Sequence, residues 1–377
     1  MSTSFRDPVA SAVFEPLEPR LLLGGNVTVV VSHGDLRIRG DRGDNVISVA
    51  PGGGADPTEY VITGFDGTTI NGDPAKTVVG VTDDFRIRMA RGRNEVELAG
   101  LTVPDNLRIT ARGGQDDVRL DGVIVQGNTV ITTRGGDDVV LIENNSQLGG
   151  RAAVNTGAGA DRVGLADADV AARTKIKTQG GPDVVHITNS NFNGPFRLIT
   201  GPGGDVVQIV DAEMRGTSAI KTGGGGDDVT VTDSDFTGTC FVSTGWGGDA
   251  LLIDPTVFHG STTVTTGAGG DQAYFRDATA YEQLAVNTGP GTDVVDFKDS
   301  EFLGKVNVRT RGGDDFVLIT GVTFHQRVKT WLGGGGDLLE QQDDTWAGGV
   351  LDGGPGLDSL IDGGGNAGEL PAAQRFE

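Results

Sequence analysis

Thr222-Gly-Gly-Gly-Gly-Asp-Asp-Val-Thr-Val231 joins a glycine turn to an alternating apolar strand. Gly supplies the positive φ that a tight turn needs, Asp favours turns, and β-branched Val suits a pleated surface. The same unit recurs as Thr200-Gly-Pro-Gly-Gly-Asp205, Thr244-Gly-Trp-Gly-Gly-Asp249, Thr266-Gly-Ala-Gly-Gly-Asp271 and Thr288-Gly-Pro-Gly-Thr-Asp293. Anchored on the acid, the series runs Asn94, Asp116, Asp138, Asp161, Asp183, Asp205, Asp227, Asp249, Asp271, Asp293, Asp315, Asp337 and Asp358. Its steps are of 22 residues, save one of 23 and a last one of 21. A fixed period of this length denotes stacked supersecondary units.

Within each period three inward columns follow the anchor. Val229 and Val231 alternate with Thr230 and Thr232, giving an apolar and a polar face. A second column includes Val170, Phe192, Met214, Phe236, Phe258 and Phe302; a third includes Ile176, Leu198, Ile220, Val242 and Val264. A Thr column follows two residues later and ends at Thr310. Cys240 falls at a packing position beside Val242. Three columns predict about three strands per coil, and crossovers between parallel strands are right-handed in nearly all cases. The expected fold is all-β: a right-handed parallel β-helix, a solenoid of about 22 residues per coil. At about 4.8 Å per coil, 13 to 15 coils make a rod of roughly 60 to 70 Å.

Composition agrees with an extended rod. Gly is 63 of 377 residues, in phase with the repeat, and the net charge is −22. That charge disfavours nucleic acid and anionic membrane as partners. A single cysteine precludes an internal disulfide framework, and no apolar run is long enough for a transmembrane helix.

The organisation expected is a sorting or disordered segment at 1–25, the β-helix over 26–365 and a disordered tail at 366–377. Asp44 is read as the anchor of an early, imperfect coil. Residues 26–40 read as capping and 51–74 as an inserted mobile loop, in which Asp56, Glu59, Asp66 and Asp73 come near Arg86 and Arg88. Leu17-Glu-Pro-Arg-Leu-Leu-Leu23 resembles the LEPR-xLL motif near the start of large surface or secreted proteins, notably of planctomycetes. The resemblance implies an extracellular or cell-surface location.

The Asp column is the most informative polar feature. Like charges at coil spacing repel by about 0.9 kcal/mol in water and by more where partly buried. Thr156-Gly-Ala-Gly-Ala-Asp-Arg-Val-Gly164 and Gly353-Gly-Pro-Gly-Leu-Asp-Ser-Leu-Ile361 resemble the GGxGxDxUx repeat of RTX calcium-binding β-rolls, with one such turn per 22 residues instead of one per nine. The resemblance implies Ca2+ held by Asp138, Asp161, Asp183, Asp205, Asp227, Asp249, Asp271, Asp293, Asp315, Asp337 and Asp358. The alternative is that each Asp caps its own turn by accepting backbone N–H groups.

A second polar column, Asp167, Asn189, Asp211, Asp233, Asp277 and Asp299, reads as closing the next turn. His33, His186, His259 and His325 do not cluster. Lys175, Lys177, Lys221, Arg309, Arg311 and Lys329 are spread along one strand face among many acids and read as local charge balance in preference to a binding patch. The function expected is a secreted or cell-surface structural, adhesin-like solenoid with polysaccharide or other surface proteins as partners, and no enzymatic activity. The alternative is a carbohydrate-active β-helix, which would build a substrate groove from loops inserted in the repeat.

Overall fold

A computed structural model describes residues 24–376. Every regular element among them is a β-strand, and the strands wind into a parallel solenoid of about 13 turns. The LEPR-xLL-like stretch lies outside the described residues. One coil shows how the sequence sets the path. Asp228–Thr232 forms the first strand, Ser234–Phe236 the second and Cys240–Trp246 the third. The first two belong to one continuous sheet and the third to the opposite sheet, so the three expected strands make two walls. Val229, Val231, Phe236 and Val242 are buried between them.

The register between coils repeats the sequence period. Val207 pairs with Val229, Met214 with Phe236 and Ile220 with Val242. The 23-residue step is accommodated at one corner. There Asn144 and Asn145 both take left-handed φ values of 57° and 62°, where neighbouring coils place the single residues Asp167 and Asn189. Asp211, Asp233, Asp277 and Asp299 take the same conformation, φ 48° to 52°. Asn and Asp tolerate that region better than other side chains with a Cβ, so this second polar column does close the turn between the first two strands.

The glycines of the other corner are fixed by close stacking. Gly225 has φ 139°, and a Cβ there would overlap the carbonyl oxygen of Gly203 in the preceding coil. Gly225→Ala is therefore expected to cost about 1–3 kcal/mol from backbone strain alone, measured as a shift in the urea midpoint against the parent chain.

Both ends depart from expectation. The stretch at 51–74 is an ordered cap: Tyr60–Phe65 runs antiparallel to Asn45–Pro51 on one side and to Ala75–Val78 on the other. Tyr60 and Ile62 are buried, which supplies the apolar contact a mobile loop would lack. Asn26–Ser32 and Asp35–Gly40 form a hairpin on the other sheet through His33 and Gly34, with φ 54° and 86° as a tight hairpin turn requires. At the far end the expected disordered tail is paired instead. Ala367–Glu369 aligns with Thr345–Ala347, and Ala372–Gln374 with Val350–Asp352. Short antiparallel or exposed polar strands at the ends leave little edge for another chain to extend.

Candidate functional site: an internal aspartate ladder and a cationic face

The Asp column points inward. From Asp116 to Asp358 each ladder Asp is at most 2% exposed. Parity explains this: Asp227, Val229 and Val231 are two residues apart, so all three face the same side of the strand. Each Oδ1 accepts the backbone N–H of the ladder residue one coil earlier, as in Asp205 to Asp227 and Asp227 to Asp249, both at 2.9 Å. The carboxylates therefore bind across coils and do not cap their own turns, which corrects the second of the two sequence readings. The early anchor is Asn45 and not Asp44 as the sequence suggested. Asn45 pairs with Asn94 and is fully buried, whereas Asp44 faces outward and accepts the N–H of Arg93.

The second carboxylate oxygen is the anomaly. In Asp138, Asp183, Asp227, Asp249, Asp271 and Asp293, among others, Oδ2 is buried without a hydrogen-bond donor. The neighbouring Thr column, fully buried from Thr133 to Thr310, could supply one. It does so at Thr156 and Thr200, whose hydroxyls donate to Asp161 Oδ2 at 2.6 Å and to Asp205 Oδ2 at 2.5 Å. Thr222, Thr244 and Thr266 instead donate to the carbonyl of the Thr in the next coil, at 3.0 to 3.1 Å. A hydroxyl has one proton, so where it serves the carbonyl those Oδ2 atoms go without, although each Thr stands close enough to its Asp to offset part of the effect of burial.

Loss of water raises the ladder carboxyls from Asp116 to Asp337 above their ordinary range. Asp116, Asp183, Asp227, Asp293 and Asp337 are pushed up to about 6, mainly by burial, with neighbouring carboxylates adding to the shift. Asn94 reveals the polarity of this position. Its Nδ2 donates to the carbonyl of Gly92 at 3.1 Å and to Asp116 Oδ1 at 2.7 Å. The pocket that surrounds the second head atom thus presents acceptors, and an Asp there needs a proton or a cation.

A second acidic group lies at the first coils, where Asp35, Asp83 and Asp84 bring carboxylate oxygens within 4.8 Å of one another. The buried ladder and this cluster could each bind a cation. At the cluster, guanidinium groups already stand against two of the acids: Arg37 and Arg86 pair with Asp35 at 2.9 and 3.3 Å, and Arg86 with Asp84 at 2.6 Å. These are the partners of Arg86, in place of the acids expected from 51–74.

The outer face of the narrower sheet carries the feature that sequence reasoning placed on one strand face but took for local charge balance. One outward column runs through Arg37, Arg86, Arg108, Lys175, Arg197 and Lys329. Its neighbour, two residues along each strand, holds Arg39, Arg88, Lys177, Lys221 and Arg309. Neither column contains an acid before Asp352, which aligns with Trp331. In a chain with 52 acids and 30 Lys and Arg, these cations are segregated by face, and of them Arg37 and Arg86 are the ones balanced by neighbouring acids, Asp35 and Asp84. The signal was present in the sequence: Lys175, Lys177, Lys221, Arg309 and Lys329 share the parity opposite to the buried Ile176, Ile220 and Val308.

The histidines stay dispersed, with His259 against Asp235 and His325 against Glu301 on the exposed surface. Cys240 is buried, and its thiol is pushed up to about 12 by that burial, as a packing residue requires. Comparison with protein-family models, with curated proteins and with solved structures finds no match for this chain.

Proposed function

We propose that the chain is a secreted or cell-surface structural rod of adhesin-like character, working through its long faces. The observation that carries this reading is coil regularity. Between Asn94 and Asp337 one inserted residue is the only change of period, and the strands keep register throughout. A hydrolase or lyase needs a few groups converging in a walled site that excludes water, and this repeat inserts no loops to wall one. The test is incubation with acidic and neutral polysaccharides. No turnover of either class is expected, with retention of polysaccharide, strongest for the acidic ones, and turnover abolished by Asp66→Asn or Arg88→Gln overturns the reading.

Calcium is the second part of the proposal, favoured by the orphaned Oδ2 atoms. A hard cation accepts carboxylate and carbonyl oxygens, the donor set around those atoms. The ion would neutralise the ladder and tie neighbouring coils together. A ligand that binds only the folded state stabilises it by about 2.7 kcal/mol at a hundredfold excess over Kd. Thermal unfolding at pH 7.5 should therefore shift upward by a few degrees on passing from chelator to millimolar calcium. Superimposable melts would remove calcium from the ladder.

A further inference from the structure

We infer that the outer face of the narrower sheet binds a linear anionic glycan, one bearing carboxylate or sulfate groups, with its strongest contact at the arginines of the first coils. This rests on the reading of the chain as a rod acting through its surface, and it names the face and the partner.

The cations are concentrated where the rod is least acidic. Residues 24–134 carry 12 Lys and Arg against 15 Asp and Glu, whereas residues 135–376 carry 16 against 33. Arg39, Arg88, Arg108, Arg112 and Arg134 are all exposed, and together they line a shallow depression of about 400 Å³. Arg88 and Arg108 also border an adjoining depression of about 570 Å³ with Arg151. Among the described residues none of the five pairs with a carboxylate; the nearby acids Asp35 and Asp84 are held by Arg37 and Arg86. Unpaired guanidinium groups in a concavity offer bidentate donors to carboxylate or sulfate oxygens.

Spacing selects the kind of polyanion. Successive coils lie about 4.8 Å apart, so a ligand aligned with the rod meets a cation at roughly one coil or a small multiple of it. Charges carried on successive sugar rings recur at that scale. Duplex DNA places a charge every 1.7 Å or so, almost three per coil, and would set that density against a protein of net charge −22. Single-stranded nucleic acid gains much of its affinity from stacking on aromatic side chains, and none lines the arginine depression. Further along the same face stand Phe241, with Lys221 5.1 Å from its ring centroid, and the exposed Trp331 beside Arg309. These ring faces lie away from the arginine depression, where the strongest contact is placed, and would serve a sugar or a base alike.

The experiment is calorimetric titration of the full chain with dextran sulfate and with polygalacturonate, neutral dextran and a short DNA duplex serving as comparisons, over a series of salt concentrations. Binding of both anionic glycans is expected, weakening with salt. In Arg88→Gln/Arg108→Gln the affinity should fall about tenfold or more, with a shallower salt dependence. Arg119→Gln, on the opposite sheet and paired with Glu143, should leave binding unchanged. The inference is overturned by failure of both anionic glycans to bind, by equal binding of neutral dextran, by DNA binding that is as tight and depends on the same arginines, or by undiminished affinity in the double variant. Small-angle scattering of both chains separates this from failure of the rod reading: an unchanged elongated profile with lost binding supports the inference, while a compact parent profile removes the premise before any titration.

Discussion

Phe236→Ala should destabilise the solenoid by about 3–5 kcal/mol, the range for removing a large aromatic from a packed interior. Phe236 is 1% exposed, lies over Met214 of the coil before, and stacks on Phe258 of the coil after, with ring centroids 5.2 Å apart. Truncation opens a cavity between two walls whose backbones are locked by inter-coil hydrogen bonds, so the site has little freedom to collapse. Solenoid stability is close to a sum of terms for each coil and its neighbours. The loss should therefore appear first around 214–258, as faster amide exchange there than near Phe302 and Phe324. A cost below about 1 kcal/mol, or acceleration spread evenly along the rod, would show that the Phe column does not hold the walls together.

The fold was legible because the solenoid imposes one environment on residues 22 apart. Val103, Phe192, Met214 and Phe324 differ in size, yet all sit at the same inward place and all are buried. The N-terminal cap was not legible, since Pro51-Gly-Gly-Gly-Ala-Asp-Pro57 looks like a loop, and the antiparallel pairing of Tyr60–Phe65 has no counterpart in the repeat. Nor was the true start of the ladder visible. Asn45 follows Asp44, and only pairing with Asn94 decides which of the two faces inward.

The direction of the ladder carboxylates was available from strand parity but was obscured by the turn chemistry around them. Gly-rich turns ending in Asp suggest an outward metal-binding edge, whereas the acid is already the first inward residue of the strand. The cationic face illustrates the complementary difficulty. Charges scattered in sequence appear balanced until each strand position is followed from coil to coil, whereupon the acids prove to occupy other columns.

In chelated buffer the protein should be more stable at pH 5 than at pH 7.5, and Asp227→Asn should remove part of that difference. Asp227 is raised from an ordinary 3.8 to about 6, so the folded state binds its proton more tightly than the unfolded chain does. Stability from this group is fully present below about 3.8, falls as pH rises towards 6 and stays low above it. That rise corresponds to at most about 3 kcal/mol for one rung, and coupling between rungs makes the total less than the sum. Asp352, held below the ordinary range by Arg375, works in the opposite sense but only below about 4, whereas His186, held low by burial and by Arg162, works in the opposite sense near 6.5. Net charge also falls on acidification, which is why the Asn variant is needed. Asn keeps the Oδ1 acceptor and presents an amide to the acceptors around it, as Asn94 does. Asp227→Asn should therefore be more stable than the parent at pH 7.5 without calcium and should lose that advantage by pH 4.5, as read from urea midpoints at the two pH values. A variant less stable at both, or a parent equally stable at pH 5 and 7.5, would mean that the buried oxygens of the ladder carry no uncompensated charge.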